Sequence, residues 1–209
     1  MYFKDRAEAG DKLVDFLVKY RNQAVIVYGL PRGGVATGAQ IAKRLTAPLD
    51  LVIARKIGHP ENPEYGICAV AENGDRVCNE AEVAFVNKSW LEEETERQRQ
   101  EAKRRRLIYL SGREPLSVKG KTAIIVDDGI ATGLTIRAAI KELKHRKPKK
   151  IVVAAPVAPK DTVLQLKSEV DEVVVLYAPV DFFGAIGDYY EYFPQLSDEE
   201  VVKIMESFK

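Results

Sequence analysis

Five short apolar runs punctuate the chain, at residues 24–28, 49–54, 123–126, 151–155 and 172–176. Each is too short for a helix and nearly free of polar interruptions. That pattern suits parallel strands covered on both faces. Between and around them, apolar positions recur three and four apart. This spacing predicts helices over 5–20, 35–45, from 134 onward, over 161–168 and over 197–208. Asp5 with Glu8, and Ser197 with Glu200, have the spacing of capping boxes. Strands alternating with helices predict an α/β fold: a doubly wound, mostly parallel five-stranded sheet.

The region 57–118 breaks the alternation. Residues 58–66, GHPENPEYG, are rich in turn formers and predict a flexible loop. The apolar stretches 67–70 and 76–79 bracket Glu72-Asn73-Gly74-Asp75, a hairpin signal. A long charged helix is predicted over 89–109, with Ser89 and Glu92 as its capping box. Its acids come early and its bases late, as the helix dipole favours. With so few apolar positions, it is expected at the rim or against a partner subunit. The chain therefore divides into a core at about 22–178, this loop/hairpin insertion, and a small C-terminal hood at 179–196, all in one domain spanning 1–209.

Composition narrows the function classes. Net charge is +1 with 30% charged residues, so no global field favours nucleic acid. No apolar run is long enough to span a membrane and no signal peptide is evident, which predicts a cytoplasmic protein. Cys68 and Cys78 are the only cysteines. They have no partners at metal-ligand spacing and are expected as reduced thiols.

The candidate chemistry gathers at strand ends. The run 123–126 leads into Asp127 and Asp128, then into the small, hydroxyl-bearing turn Gly129-Ile130-Ala131-Thr132-Gly133-Leu134-Thr135. Free amides at a helix start bind anions. Gly133 permits close approach, and Thr132 and Thr135 add hydroxyl donors. The two carboxylates would repel an anion but suit sugar hydroxyls or a metal ion. A ribose 5-phosphate satisfies both halves. No Gly-Lys-Ser/Thr follows, so the turn is not a Walker A loop. A second strand–loop–helix unit carries Pro31-Arg32-Gly33-Gly34, where Arg32 offers a forked phosphate donor. Arg55 and Lys56 follow the run 49–54, and His59 stands alone in the predicted loop, a candidate catalytic group or a plain surface residue.

VDDGIATGLT resembles the binding signature for 5-phosphoribosyl 1-pyrophosphate (PRPP) in type I phosphoribosyltransferases, and the resemblance extends from Tyr28 to Phe193. It implies that residues 130–135 (Ile130, Ala131, Thr132, Gly133, Leu134, Thr135) hold the 5-phosphate, and that Pro31, Arg32, Gly33, Arg55 and Lys56 hold pyrophosphate. It implies Asp127, Asp128 and Arg32 as catalytic groups. The loop at 58–66 would close over the substrate. The aromatic tail 180–193 is similar to the hood of hypoxanthine-guanine-type enzymes, with Phe182 stacking on the base and Asp188 joining Asp127 and Asp128 on Mg2+.

The family pattern implies transfer of phosphoribose to a nitrogenous base, purine-like by preference, with Mg2+ as cofactor. It also implies a homodimer, and neither nucleic acid nor membrane as partner. Three departures stand out. Ala131 replaces the acid that manages a purine proton, Ala158 lies where a base-reading lysine belongs (Lys160 is two residues away), and Pro194 replaces a pyrophosphate arginine. A non-catalytic sensor of PRPP or nucleotide is the competing reading. An NAD-binding site is disfavoured because the acids precede the loop.

Overall fold

The computed structural model describes residues 2–182 and 185–208. The predicted parallel sheet is present. It consists of β1 (Val25–Gly29), β2 (Leu49–Leu51), β6 (Thr122–Val126), β7 (Lys150–Val157) and β8 (Glu172–Tyr177), in the order β2-β1-β6-β7-β8, with every pairing parallel. Alternate residues of each strand feed two separate cores. Val25, Val27, Ile124 and Val126 face one layer, and Ile26, Tyr28, Ala123 and Ile125 the other. This is why these strands read as unbroken apolar runs.

The first layer is built by α1 (Arg6–Leu17), α2 (Gly33–Leu45), α4 (Lys88–Leu110) and α7 (Asp198–Glu206). The second is built by α5 (Leu134–His145) and α6 (Lys160–Lys167), together with an antiparallel sheet made of β3 (Ala54–His59), β4 (Asn62–Ala71) and β5 (Arg76–Cys78). A single turn, α3 (Glu80–Val83), links that small sheet to α4. Ser197 and Glu200 form the expected reciprocal capping box of α7. Asp5 caps α1 by accepting from Glu8 N, while the Glu8 carboxylate accepts from Lys4 N.

Four expectations need correction. The run 49–54 is not one strand: the chain leaves the main sheet after Leu51 and enters the antiparallel ribbon at Ala54. Residues 58–66 belong to that ribbon, with His59 paired to Asn62 at its tip. The turn formers are real, but the hydrogen bonds between β3 and β4 recruit their flanks into strands. The long helix starts at Lys88, with Asn87 as its cap accepting from Trp90 N, and Ser89 instead bonds Glu93. An asparagine slightly earlier in the chain serves a helix start as well as serine does. Finally, Cys68 and Cys78 are joined in a disulfide. The β4–β5 register places them directly opposite each other, a juxtaposition that a separation of 10 residues does not reveal. Among the described residues, no helix is long and apolar enough to cross a membrane.

Candidate active site

The site forms where β1 and β6 end side by side. Strand β6 stops at Val126, and its carbonyl accepts from Leu30 N at 2.9 Å, tying the two strand ends together. The loop after β1 is thereby pressed against the loop after β6. Its Pro31–Arg32 peptide is cis. A Cβ on Gly33 would lie 1.7 Å from Asp128 Oδ2, and one on Gly34 would lie 2.4 Å from Val126 O. Only glycines allow this contact between the predicted pyrophosphate loop and the acid pair.

Beyond the acids the chain makes the predicted bend. Ile130 N donates to Val157 O, and Thr162 Oγ1 donates to Ala131 O at 3.0 Å, so neighbouring elements hold the bend in place. Gly133 has φ +76° and forms the N-cap of α5. That left-handed geometry favours glycine. The first amides of α5 have no intrahelical acceptor and face outward with the positive end of the dipole. An open cavity of about 310 Å³ lies here, lined by Gly129 to Ile136, Asp127, Lys56, Glu64, Gly66, Cys68 and the hood residue Ile186. All six predicted 5-phosphate residues, Ile130 to Thr135, therefore line one concave surface with Asp127 at its edge. The bend is not plugged by side chains.

The two acids differ. Asp127 Oδ1 accepts from Asp128 N at 2.9 Å. Burial first, and then the neighbouring Asp128 charge, push the Asp127 carboxyl well above the usual range. Asp128 Oδ2 accepts from Arg6 Nε at 2.7 Å, and its carbonyl accepts from Tyr190 OH at 2.6 Å. Arg6 also donates to Pro194 O at 2.8 Å, and its guanidinium carbon sits 3.7 Å from the centre of the Phe193 ring. Asp128 is thus held by a cation from the first turn of α1. Sequence reasoning missed Arg6 and Tyr190, which lie 122 and 62 residues away from Asp128.

The predicted pyrophosphate cations separate. Lys56 lines the cavity and bonds Glu64. Arg32 points to Asp198 at 3.5 Å, and Arg55 bonds Gln98. Burial, and then the adjacent charge of Arg105, lower the Arg55 pKa, with Arg32 adding to the effect. Arg32, Arg55 and Arg105 therefore form one electropositive cluster. Arg105 was visible in the sequence only as part of a basic run. His59 accepts from Glu61 N at the ribbon tip, a turn-forming role.

In the hood, Phe182 stacks on Tyr189 with ring centres 5.6 Å apart. Asp188 is exposed and accepts from Ala185 N, capping a 3₁₀ turn at Ile186–Tyr189. Two residues of the predicted aromatic tail, Phe183 and Gly184, lie outside the described residues. Among the described residues, no group of three or more His, Cys, Asp or Glu could hold a metal ion. Asp188 is thus not gathered with Asp127 and Asp128. Two adjacent carboxylates are still a fitting donor set for a Mg2+ ion that arrives on a polyphosphate and keeps its remaining ligands from substrate and water.

Comparison with known proteins agrees with this geometry. The family profile for the phosphoribosyl transferase domain matches residues 4–193. A Mycobacterium tuberculosis protein, provisionally named a phosphoribosyl transferase, is 40% identical over 206 residues, covering 98% of this chain and 46% of its own length. The chain thus spans about half the length of the curated relatives it matches. The crystal structure of the protein TT1426 from Thermus thermophilus is 39% identical, with a TM-score of 0.82, covering 100% of this chain and 99% of its own.

Proposed function

From the premise that this chain belongs to the phosphoribosyl transferase domain family, we propose that it binds PRPP with Mg2+ and transfers the phosphoribosyl group to a nitrogenous base, a purine-like base by preference. The observation that carries this reading is the open bend at 129–136 standing beside an acid pair that touches the Gly33 loop. One ligand with a phosphate at one end, a diol in the middle and a pyrophosphate at the other spans those three features.

In this reading, the amides of α5 and the hydroxyls of Thr132 and Thr135 take the 5-phosphate. Asp127 and Asp128 accept from the ribose 2- and 3-hydroxyls and would also hold the metal ion. When bound, that ion supplies positive charge to the departing pyrophosphate. The loop 31–34 supplies amides, and Arg32, Arg55 and Lys56 supply the cationic field. Arg6 holds Asp128 Oδ2, which keeps that carboxylate ionised and leaves Oδ1 for substrate. In the reaction the C1–O bond breaks with its electron pair leaving on pyrophosphate. The base nitrogen then donates its lone pair to C1 and loses its proton. Catalysis by such a site is positional and electrostatic. The hood aromatics, with Phe182 and Tyr189 already stacked, offer a π-face to the base.

The test is calorimetry with Mg2+–PRPP, followed by pyrophosphate release against a panel of purine and pyrimidine bases. Micromolar binding with base-dependent release is the expected result. Failure to bind PRPP removes the reading. Binding without release for any base would identify a sensor, the alternative that the occupied side chains of Arg32 and Asp128 favour.

A further inference from the structure

A second cavity, of about 350 Å³, lies between the turn joining β4 to β5, helix α4 and the end of α5. It shares no lining residue with the bend. Arg99, Lys103, Arg106 and Arg146 face Glu72 and Glu142 around it, leaving two positive charges in surplus. Arg106 and Glu142 are 8% and 3% exposed, unusually deep for ionised side chains. Part of their bonding capacity is met. Arg106 Nε pairs with Glu72, Arg106 Nη2 donates to Leu51 O at 3.1 Å, and Arg146 Nη2 pairs with Glu142 Oε1. The rest is not. Among the described residues four buried side-chain atoms lack a hydrogen-bond partner, and three of them, Arg106 Nη1, Arg146 Nη1 and Glu142 Oε2, are here. Buried polar groups are rarely left unpaired.

We propose that this cavity is a binding site for inorganic phosphate. The unpaired set is two forked donors and one acceptor, within a field two charges positive. A tetrahedral oxyanion accepts from both guanidinium groups. The orphaned Glu142 oxygen asks in addition for a ligand that donates a proton. At neutral pH inorganic phosphate keeps a P–OH for that contact; sulfate has none and would meet the carboxylate with bare oxygen. The site is independent of the transferase reading: a chain that binds phosphate here but releases no pyrophosphate would keep this site and lose that activity.

Phosphate and sulfate titrations of the full chain, read by calorimetry, test the proposal. Phosphate is expected to bind at least tenfold more tightly than sulfate. Arg146→Gln, a partly exposed position, is expected to weaken phosphate at least tenfold while leaving PRPP affinity within twofold. Glu142→Gln, which keeps the side-chain volume, is expected to narrow the phosphate-to-sulfate ratio. Circular dichroism checks that both variants fold. Phosphate binding unchanged in both variants, or sulfate bound as tightly as phosphate by the native chain, overturns the proposal and leaves the cavity to water.

Discussion

At the scale of single residues, Asp128 carries the most. It meets Arg6, abuts Gly33 and anchors the hood through Tyr190. Asp128→Asn keeps the shape but removes the charge. A hydrogen bond to a charged group contributes about 1.5–3 kcal/mol, so PRPP affinity should fall roughly 10- to 100-fold, with the near-ultraviolet circular dichroism retained. Unaltered affinity in calorimetry would remove Asp128 from the ribose site. Gly33 gives a steric counterpart. Its Cα hydrogen points at the Asp128 carboxylate, so the methyl of Gly33→Ala would push that carboxylate aside. Overpacking of this kind costs about 1–3 kcal/mol of stability. PRPP binding should be lost well before the fold, a split that thermal melts and calorimetry on one sample can show.

Arg6 marks a limit of sequence reading at this scale. Nothing in the run around it signals a site. Its role comes from the first turn of α1 meeting the end of the hood. Backbone bonds there run from Phe3 N to Tyr189 O and from Glu191 N to Phe3 O, both at 2.8 Å. The departure at Pro194 was readable, as an arginine missing from the tail. That an arginine from the opposite end of the chain bonds the Pro194 carbonyl was not.

At the scale of elements, the antiparallel ribbon decides how the site is walled. Lys56, Gly66 and Cys68 bring β3 and β4 to the rim of the bend. The Cys68–Cys78 link clamps β4 to β5 behind that wall. By loop-closure entropy a link of separation 10 contributes about 3 kcal/mol. Reduction should therefore lower the melting temperature by roughly 5–10 °C, and Cys68→Ser with Cys78→Ser should reproduce the loss. A melt indifferent to reductant would show that the ribbon holds without the link. The ribbon was half legible: Asn73-Gly74 announced the β4–β5 turn, and Gly74 has φ +100°. The β3–β4 pairing was hidden, because its residues mix charge, proline and glycine. Only cross-strand hydrogen bonds make them strands.

At the scale of the whole molecule, buried tyrosines report on the fold. Burial raises the Tyr109 pKa to about 12, helped by Asp198, and also raises Tyr20, Tyr28 and Tyr190. The unfolded chain releases these protons near pH 10. Above that pH the folded state therefore holds more protons than the unfolded one, and stability falls as pH rises. The contribution is fully present below about pH 10 and is lost as pH climbs toward the folded values. Phenolate absorbance should lag for these residues and then rise together with unfolding. Four independent titrations near pH 10 with the fold intact would contradict the burial.

The parallel sheet, the bend and the acid pair were settled by local order alone. Strands buried on both faces must be continuously apolar, and a phosphate-binding turn needs small residues at a helix start, so each leaves its mark within a short stretch of neighbouring residues. Which cations reach the acids, which cysteines join and where buried charges are left unpaired depended on packing. Those pairings bring together groups that chain order keeps apart, and their free energy comes from contacts that exist only once the layers have closed.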